Sequence, residues 1–144
     1  MKAAMFAADA MTWIGVPWHH QGRNRFGVDC VGLPIGILVE AGVPIRARQN
    51  YGRMPMQELV SELERWCQPA SGPAVGVMVA FHWPQQTLPG HLGILVDVPQ
   101  GLTSESGFYL IHAHLRAKRV VLNAYGHPWA DRTLGFWLAP GVQY

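Results

Sequence analysis

The sequence predicts an α+β fold in which N-terminal helices pack on a five-stranded antiparallel sheet. One change along the chain and one number lead there. Apolar residues recur at helical spacing through the first half, then give way after Pro69 to short β-branched and aromatic runs bounded by Gly, Pro, Ser or Asn. The length, 144 residues, closes one core and rarely two, so a single domain spanning 1–144 is expected. A chain of this size buries about 70% of its unfolded surface, so neither a disulfide nor a metal is required for folding.

The elements follow in order. Met1, Met5, Ala8 and Met11 fall at helical spacing and mark a short N-terminal packing helix. A loop rich in Gly, Arg, His and Trp runs from Gly15 to Val28. Asp29 to Ala41 reads as a buried helix, with Gly42 placed to end it and Pro44 beyond. Pro34 is compatible with this helix because it falls near the first turn, where a missing N–H costs little. A third helix is expected over Pro55 to Cys67, with Met56, Leu59, Val60, Leu63 and Trp66 on its core stripe. The strand candidates are Gly76 to Trp83, His91 to Val98, Phe108 to Leu115, Arg119 to Tyr125 and Leu134 to Ala139. Short turns and one connection from Pro99 to Gly107 join them, which suggests a meander covered by helices on one face.

Composition removes several function classes. Charged residues make up 14% and apolar ones 49%, which excludes a disordered tail. The net charge of +2 rests on nine Arg and two Lys in short scattered groups, such as Arg46 with Arg48, so no nucleic-acid footprint is expected. Two cysteines are too few for a secreted disulfide framework. The longest hydrophobic stretch, Val31 to Val39, is too short to cross a bilayer. Asp9 interrupts the N-terminal apolar run, so neither a signal peptide nor a membrane span is expected.

One cysteine has a chemical setting. Cys30 sits where the loop becomes a helix, and a thiol at a helix N-terminus feels the free N–H groups that favour thiolate and can hold an oxyanion. Cys67, closing an amphipathic helix, reads as packing. A cysteine nucleophile needs a base and something to orient it. His91 opens a strand in which His91, Gly93 and Leu95 share a face, and Gly93 leaves the surface beside His91 bare. The next strand carries His112 and His114. A hairpin whose paired residues sum to 203 sets His91 opposite His112, and one summing to 205 sets it opposite His114. Either puts both histidines on one face, so register does not choose between them.

Three pieces stand in order along the chain: Trp18 in a His-rich loop, Asp29-Cys30-Val31-Gly32-Leu33 opening a helix, and Gly90-His91-Leu92-Gly93-Ile94 followed by Ile111-His112-Ala113. Together they resemble the NlpC-type cell-wall peptidases, a papain-like cysteine peptidase family, and look most like its phage tail-assembly members. The resemblance covers roughly residues 13–125. It implies a papain-like fold with Cys30 as nucleophile, His91 as general base and acid, and His112 as the orienting residue in preference to His114. It also implies an oxyanion site formed with the loop around Trp18 and Asp29, and a cleft rimmed by His19 and His20. No cofactor is implied.

Three departures stand out. Val31 replaces a small hydroxyl residue, Trp18 stands where Tyr is common, and the His91-to-His112 connection is long.

The implied substrate is a peptidoglycan stem peptide cut at a D-γ-glutamyl–diamino acid bond. The implied setting is a phage or prophage tail, with tail proteins as partners; the protein would be made in the cytoplasm and act on the wall. Two other readings remain at this stage. One is an inactive structural tail module of the same fold. The other is a zinc site on His91, His112 and His114, because residues i and i+2 of a strand point together.

Overall fold

Phe6, Ala7 and Ala10 share one face of the first helix, and burying that face fixes where the helix lies. In the computed structural model, which describes residues 1–46 and 56–144, α1 (Ala3–Met11) sets these three side chains into the main core. Only part of the stripe expected from Met1, Met5, Ala8 and Met11 faces inward: Met1 and Met11 are half-buried against the core, whereas Met5 is 57% exposed and Ala8 is exposed. Phe6 carries the largest apolar surface of the helix, and the rotation that buries it turns its neighbour Met5 outward.

The second helix, α2 (Gly32–Glu40), is buried from Gly32 through Leu38. It starts three residues later than expected because Asp29 caps it from outside. The Gly32 N–H donates to Asp29 Oδ1 at 2.7 Å and the Leu33 N–H to the Asp29 carbonyl at 3.0 Å. Cys30 therefore lies in the turn that leads into α2. The far end closes as the sequence suggests. Gly42 adopts φ +83°, and the Val43 and Gly42 N–H groups bond the carbonyls of Leu38 and Val39 at 2.9 and 3.0 Å. A third helix, α3 (Met56–Trp66), turns Leu59 and Leu63 into the core. Pro55, where it was expected to begin, lies outside the described residues, as does Arg48.

The stretch 15–28 is less irregular than a loop. Gly15 and Val16 exchange hydrogen bonds with Val120 at 2.9 and 2.8 Å, and the Trp18 N–H donates to the Lys118 carbonyl at 2.9 Å. The chain then folds into a small hairpin, β1 (Arg23–Asn24) with β2 (Gly27–Val28). This stretch runs along a sheet edge that would otherwise present unpaired backbone groups.

Six strands form the sheet: β3 (Gln68–Ala70), β4 (Met78–Phe81), β5 (His91–Asp97), β6 (Phe108–His114), β7 (Arg119–Ala124) and β8 (Thr133–Leu138). Their order is β3-β8-β4-β5-β6-β7 with every pairing antiparallel. The five expected strands are present within a few residues of their expected ends. β3 is additional; Pro69 argues against a strand in the sequence, but β3 is an edge strand, where Pro is tolerated. The sheet departs from a meander at its end, because β8 returns to pair with β4 instead of continuing beyond β7.

The helices cover one face, where Met78, Ala80, Leu92, Ile94, Val96, Ile111 and Val120 join them in the main core. The other face holds a smaller cluster of Val79, Phe81, Leu95, Leu110, Tyr125 and Trp129. The connection between β7 and β8 supplies Tyr125 and Trp129 to it.

Gly32 shows how closely these parts meet. A Cβ at this position would run into the Gly22 carbonyl oxygen and stand 3.0 Å from Asp29 Oδ1. Neither backbone nor capping carboxylate can yield without losing the turn that carries Cys30. Gly32→Ala is therefore expected to destabilise the fold by about 3 kcal/mol or more. Gly72→Ala, with nothing within 4 Å of its added methyl, should leave the urea midpoint nearly unchanged; chemical denaturation of both variants checks this.

Candidate active site

Where β5 leaves β6, the sheet opens. The β5–β6 ladder runs from Asp97↔Phe108 to Ile94↔Ile111, while the first residues of β5 pair with β4, with His91 opposite Phe81. Pairs across β5 and β6 sum to 205, the register that would set His91 against His114. The hydrogen bond nevertheless goes diagonally: His91 Nε2 and His112 Nδ1 are 2.7 Å apart. Diagonal neighbours on one face of a sheet are within reach of long side chains, and here the ring reaches across. Gly93 makes this possible. It lies opposite His112, and a Cβ there would strike the Leu110 side chain and stand 3.3 Å from His112 Cβ. The bare surface inferred from Gly93 is thus filled by these two cross-strand side chains and is not open to an incoming molecule.

His91 and His112 are both buried, at 2% and 0% exposure. Trp129 covers the group, its ring centroid 5.4 Å from His91, 4.6 Å from His112 and 5.4 Å from His114. Trp83 stands 4.9 Å from His91 on another side. Burial lowers the His91 pKa well below 6.5, with His112, His114 and Arg132 adding in the same direction. Burial likewise lowers His112 to about 4, against the opposing effect of its hydrogen bond to Asn123. That bond, His112 Nε2 to Asn123 Oδ1 at 2.7 Å, was not foreseen from the sequence. An Asn within the β-branched run of β7 was its one signal, because Asn is depleted in strands. What Trp129 covers depends on the path of the β7–β8 connection, which no local sequence signal gives.

Cys30 is half-buried at the end of the turn before α2. Its sulfur meets the backbone N–H of Leu92, the residue after His91, as well as those of Val31 and Cys30 itself. These N–H groups favour thiolate, as a helix terminus should. Burial outweighs them, however, and with the Asp29 carboxylate pushes the thiol up to about 12. The thiolate expected from position alone gives way to a protonated thiol held at the backbone of the residue after His91. Cys67 is pushed to about 12 as well, by burial and Glu62.

The remaining candidates occupy less central places. The Asp29 carboxylate accepts from the Gly32 N–H and, at 2.8 Å, from the Gln21 N–H. It is an anion holding two backbone donors, so it ties the loop to the helix and is unsuited to stabilising an oxyanion. Trp18 stacks on His20 with ring centroids 6.4 Å apart. His19 is exposed, its Nδ1 2.9 Å from the His20 carbonyl oxygen. His114 accepts from the Ala117 N–H at 3.3 Å through Nδ1, which leaves it beside the pair without bonding it. Among the described residues no group of three His, Cys, Asp or Glu could hold a metal ion. The zinc reading fails on its donors: one nitrogen of His91 and both of His112 are engaged in hydrogen bonds at 2.7 Å.

Unfolding returns both buried histidines to ordinary values, so the unfolded chain takes up protons that the folded one refuses. Their contribution to stability is complete above about pH 6.5 and is lost as pH falls through the folded values, about 4 for His112. Urea denaturation between pH 8 and 4 should show a loss on the order of 3 kcal/mol from His112 alone. His112→Asn is expected to flatten that slope.

No family model matches the chain, and no curated protein matches its sequence. Solved structures do match. The chain is similar to the NlpC/p60 domain of the peptidoglycan hydrolase SagA, with 16% identity and a TM-score of 0.62 over 96% of this chain and 99% of that one. It is similar to an NlpC/p60 family protein from Bacillus cereus, with 16% identity and a TM-score of 0.65 over 94% of this chain but 39% of that one. It is also similar to an N-acetylmuramoyl-L-alanine amidase from Bacteroides uniformis, with 13% identity and a TM-score of 0.59 over 94% and 96% of the two chains. The fold of this chain is that of the NlpC/p60 domains, an α+β papain-like arrangement.

Proposed function

We propose that this chain is a cysteine peptidase of the NlpC type that hydrolyses peptidoglycan stem peptides, cutting the D-γ-glutamyl–diamino acid bond. The observation that carries the reading is the meeting of Cys30 with the start of β5, where His91 is buried and bonded to His112. Support for a wall substrate comes from the company the fold keeps, a peptidoglycan hydrolase and an N-acetylmuramoyl-L-alanine amidase among its structural relatives.

The resting state is a neutral thiol and a neutral imidazole, so His91 acts as a general base and not as half of a preformed ion pair. His91 takes the Cys30 proton as sulfur attacks the amide carbonyl. The oxyanion is held by the Cys30 N–H with a donor from the loop around Trp18. His91 then returns the proton to the leaving amine, and water hydrolyses the thioester through the same ring. His112 holds His91 in place throughout. Trp129 and Trp83 keep water from the far side of the ring, which strengthens the hydrogen bonds beneath them.

Hydrolysis of purified peptidoglycan fragments tests this. Cys30→Ala should lower the rate by at least about a thousand-fold while Cys67→Ala leaves it unchanged. Because His91 must be neutral to accept a proton and its pKa lies well below 6.5, the acid limb of kcat/KM should also fall below pH 6.5. The raised Cys30 pKa favours one competing reading, a module of the same fold without turnover. A parent protein no faster than Cys30→Ala would establish that reading instead.

Delivery by a phage or prophage tail completes the proposal, with the protein made in the cytoplasm and acting on the wall from the tail. Its support is the motif resemblance alone. Co-purification with tail components from induced lysates is the expected result, and a free monomeric pool with no tail partner would count against it.

A further inference from the structure

We propose that Asn123 is a positioning residue that sets the tautomers of both buried histidines and thereby leaves Nδ1 of His91 as the proton-accepting atom. This inference rests on the peptidase reading for its catalytic consequence, though not for its structural content.

Asn123 ends the chain of bonds. A carboxamide oxygen only accepts, so His112 Nε2, 2.7 Å from Asn123 Oδ1, must carry the hydrogen. A neutral imidazole has one N–H, so His112 Nδ1 is then a bare lone pair. His91 Nε2, 2.7 Å from that lone pair, must in turn be the donor. The one proton of neutral His91 is now assigned, and its Nδ1 is left as a lone pair. No hydrogen bond among the described residues uses that nitrogen. Neutrality is secured by burial of both rings, so the assignment has no spare proton to disturb it.

Register makes the relay possible. Asn123 lies opposite Leu110, and His112 lies opposite Val121. The bond from His112 to Asn123 is therefore diagonal, like the bond from His91 to His112. Two diagonals carry one line of hydrogen bonds across β5, β6 and β7 on a single face.

The arrangement also decides what happens when His91 gains a proton. Imidazolium carries hydrogen on both nitrogens. With His112 locked as the Nε2–H form, its Nδ1 still accepts from His91 Nε2–H, and the bond becomes charge-assisted. In the opposite tautomer two N–H groups would face each other at the moment the charge forms. On the peptidase reading, the thiol proton moves from Cys30 Sγ to His91 Nδ1, the S–H bond breaks as the N–H bond forms, and no other proton has to move. Other charges near the rings are His114, Arg116 and Arg132. The two arginines only donate, and the one lone pair of neutral His114, at Nδ1, already accepts from the Ala117 N–H, so none replaces the carboxamide as the acceptor for His112 Nε2–H.

Long-range proton–nitrogen NMR on the full chain labelled with 15N-histidine reads the tautomers directly at pH 7. Both His91 and His112 are expected as neutral Nε2–H forms. Asn123→Leu, at an exposed position, should convert the two signals to a tautomer mixture and lower kcat roughly ten-fold with KM little changed. Asn123→Asp keeps an accepting oxygen, so it should retain the Nε2–H pattern and recover most of kcat. An Nδ1–H signal for either histidine in the parent protein would overturn the proposal, as would an unchanged pattern in Asn123→Leu. The NMR pattern needs no substrate. A parent protein that shows it but hydrolyses nothing would refute the peptidase reading and leave the tautomer assignment standing.

Discussion

Two imidazoles buried under Trp129 on the sheet face away from the helices cannot both hydrogen-bond to water, so each must find its partner in protein. That constraint organises the region around His91 and His112. An unpaired polar atom at such depth costs about 1–3 kcal/mol, more than most single contacts return. The pair therefore bonds internally, the second ring reaches out to Asn123 near the surface, and Trp129 closes over the group. The same burial lowers both pKa values, which makes a neutral ring available as a base where an exposed histidine would be partly charged. The feature that makes the histidines costly to bury is also the one that suits them to proton transfer.

Gly93 and Gly32 play matching roles on the two sides of this group. Each is glycine because something else occupies the space of its side chain: Leu110 and His112 at Gly93, the Gly22 carbonyl at Gly32. At Gly93 the vacancy lets a diagonal contact replace the direct one that the 205 register would favour. At Gly32 it lets the loop that carries Trp18 press against the first turn of α2, where Asp29 holds it through the Gln21 N–H. In both places the function of the glycine is close approach, and neither leaves an opening for a ligand.

Much of this was legible in the chain. The period change after Pro69, the turn residues, and the Gly42 stop together mark three helices and five strands close to where they lie. Cys30, His91 and His112 stand out by motif and order. What escaped the sequence depends on distances across the fold. The packing face of α1 was only partly legible: Met1 and Met11 do pack against the core, but spacing does not show that burying Phe6 turns Met5 outward. The thiolate expected at Cys30 came from local helix geometry, and desolvation by the surrounding chain outweighs it. Asn123 stands out only as an Asn in a β-branched run; its tie to a histidine eleven residues earlier needs the β6–β7 register.

Trp129 shows why the topology and the site belong together. Had β8 continued beyond β7, the connection after Tyr125 would have stayed at the sheet's outer edge. Instead β8 returns to pair with β4, so the connection must cross the face that holds β5 and β6. The residues of that crossing then lie over whatever the face presents. Trp129 lands on three histidine rings, and Arg132 sits with its guanidinium 5.4 Å from the Trp129 ring centroid. A cation stacked there stabilises the indole in place and sets a fixed positive charge near His91 and His114, which opposes protonation of both. Strand order, water exclusion and the low proton affinity of His91 are thus three consequences of one chain path.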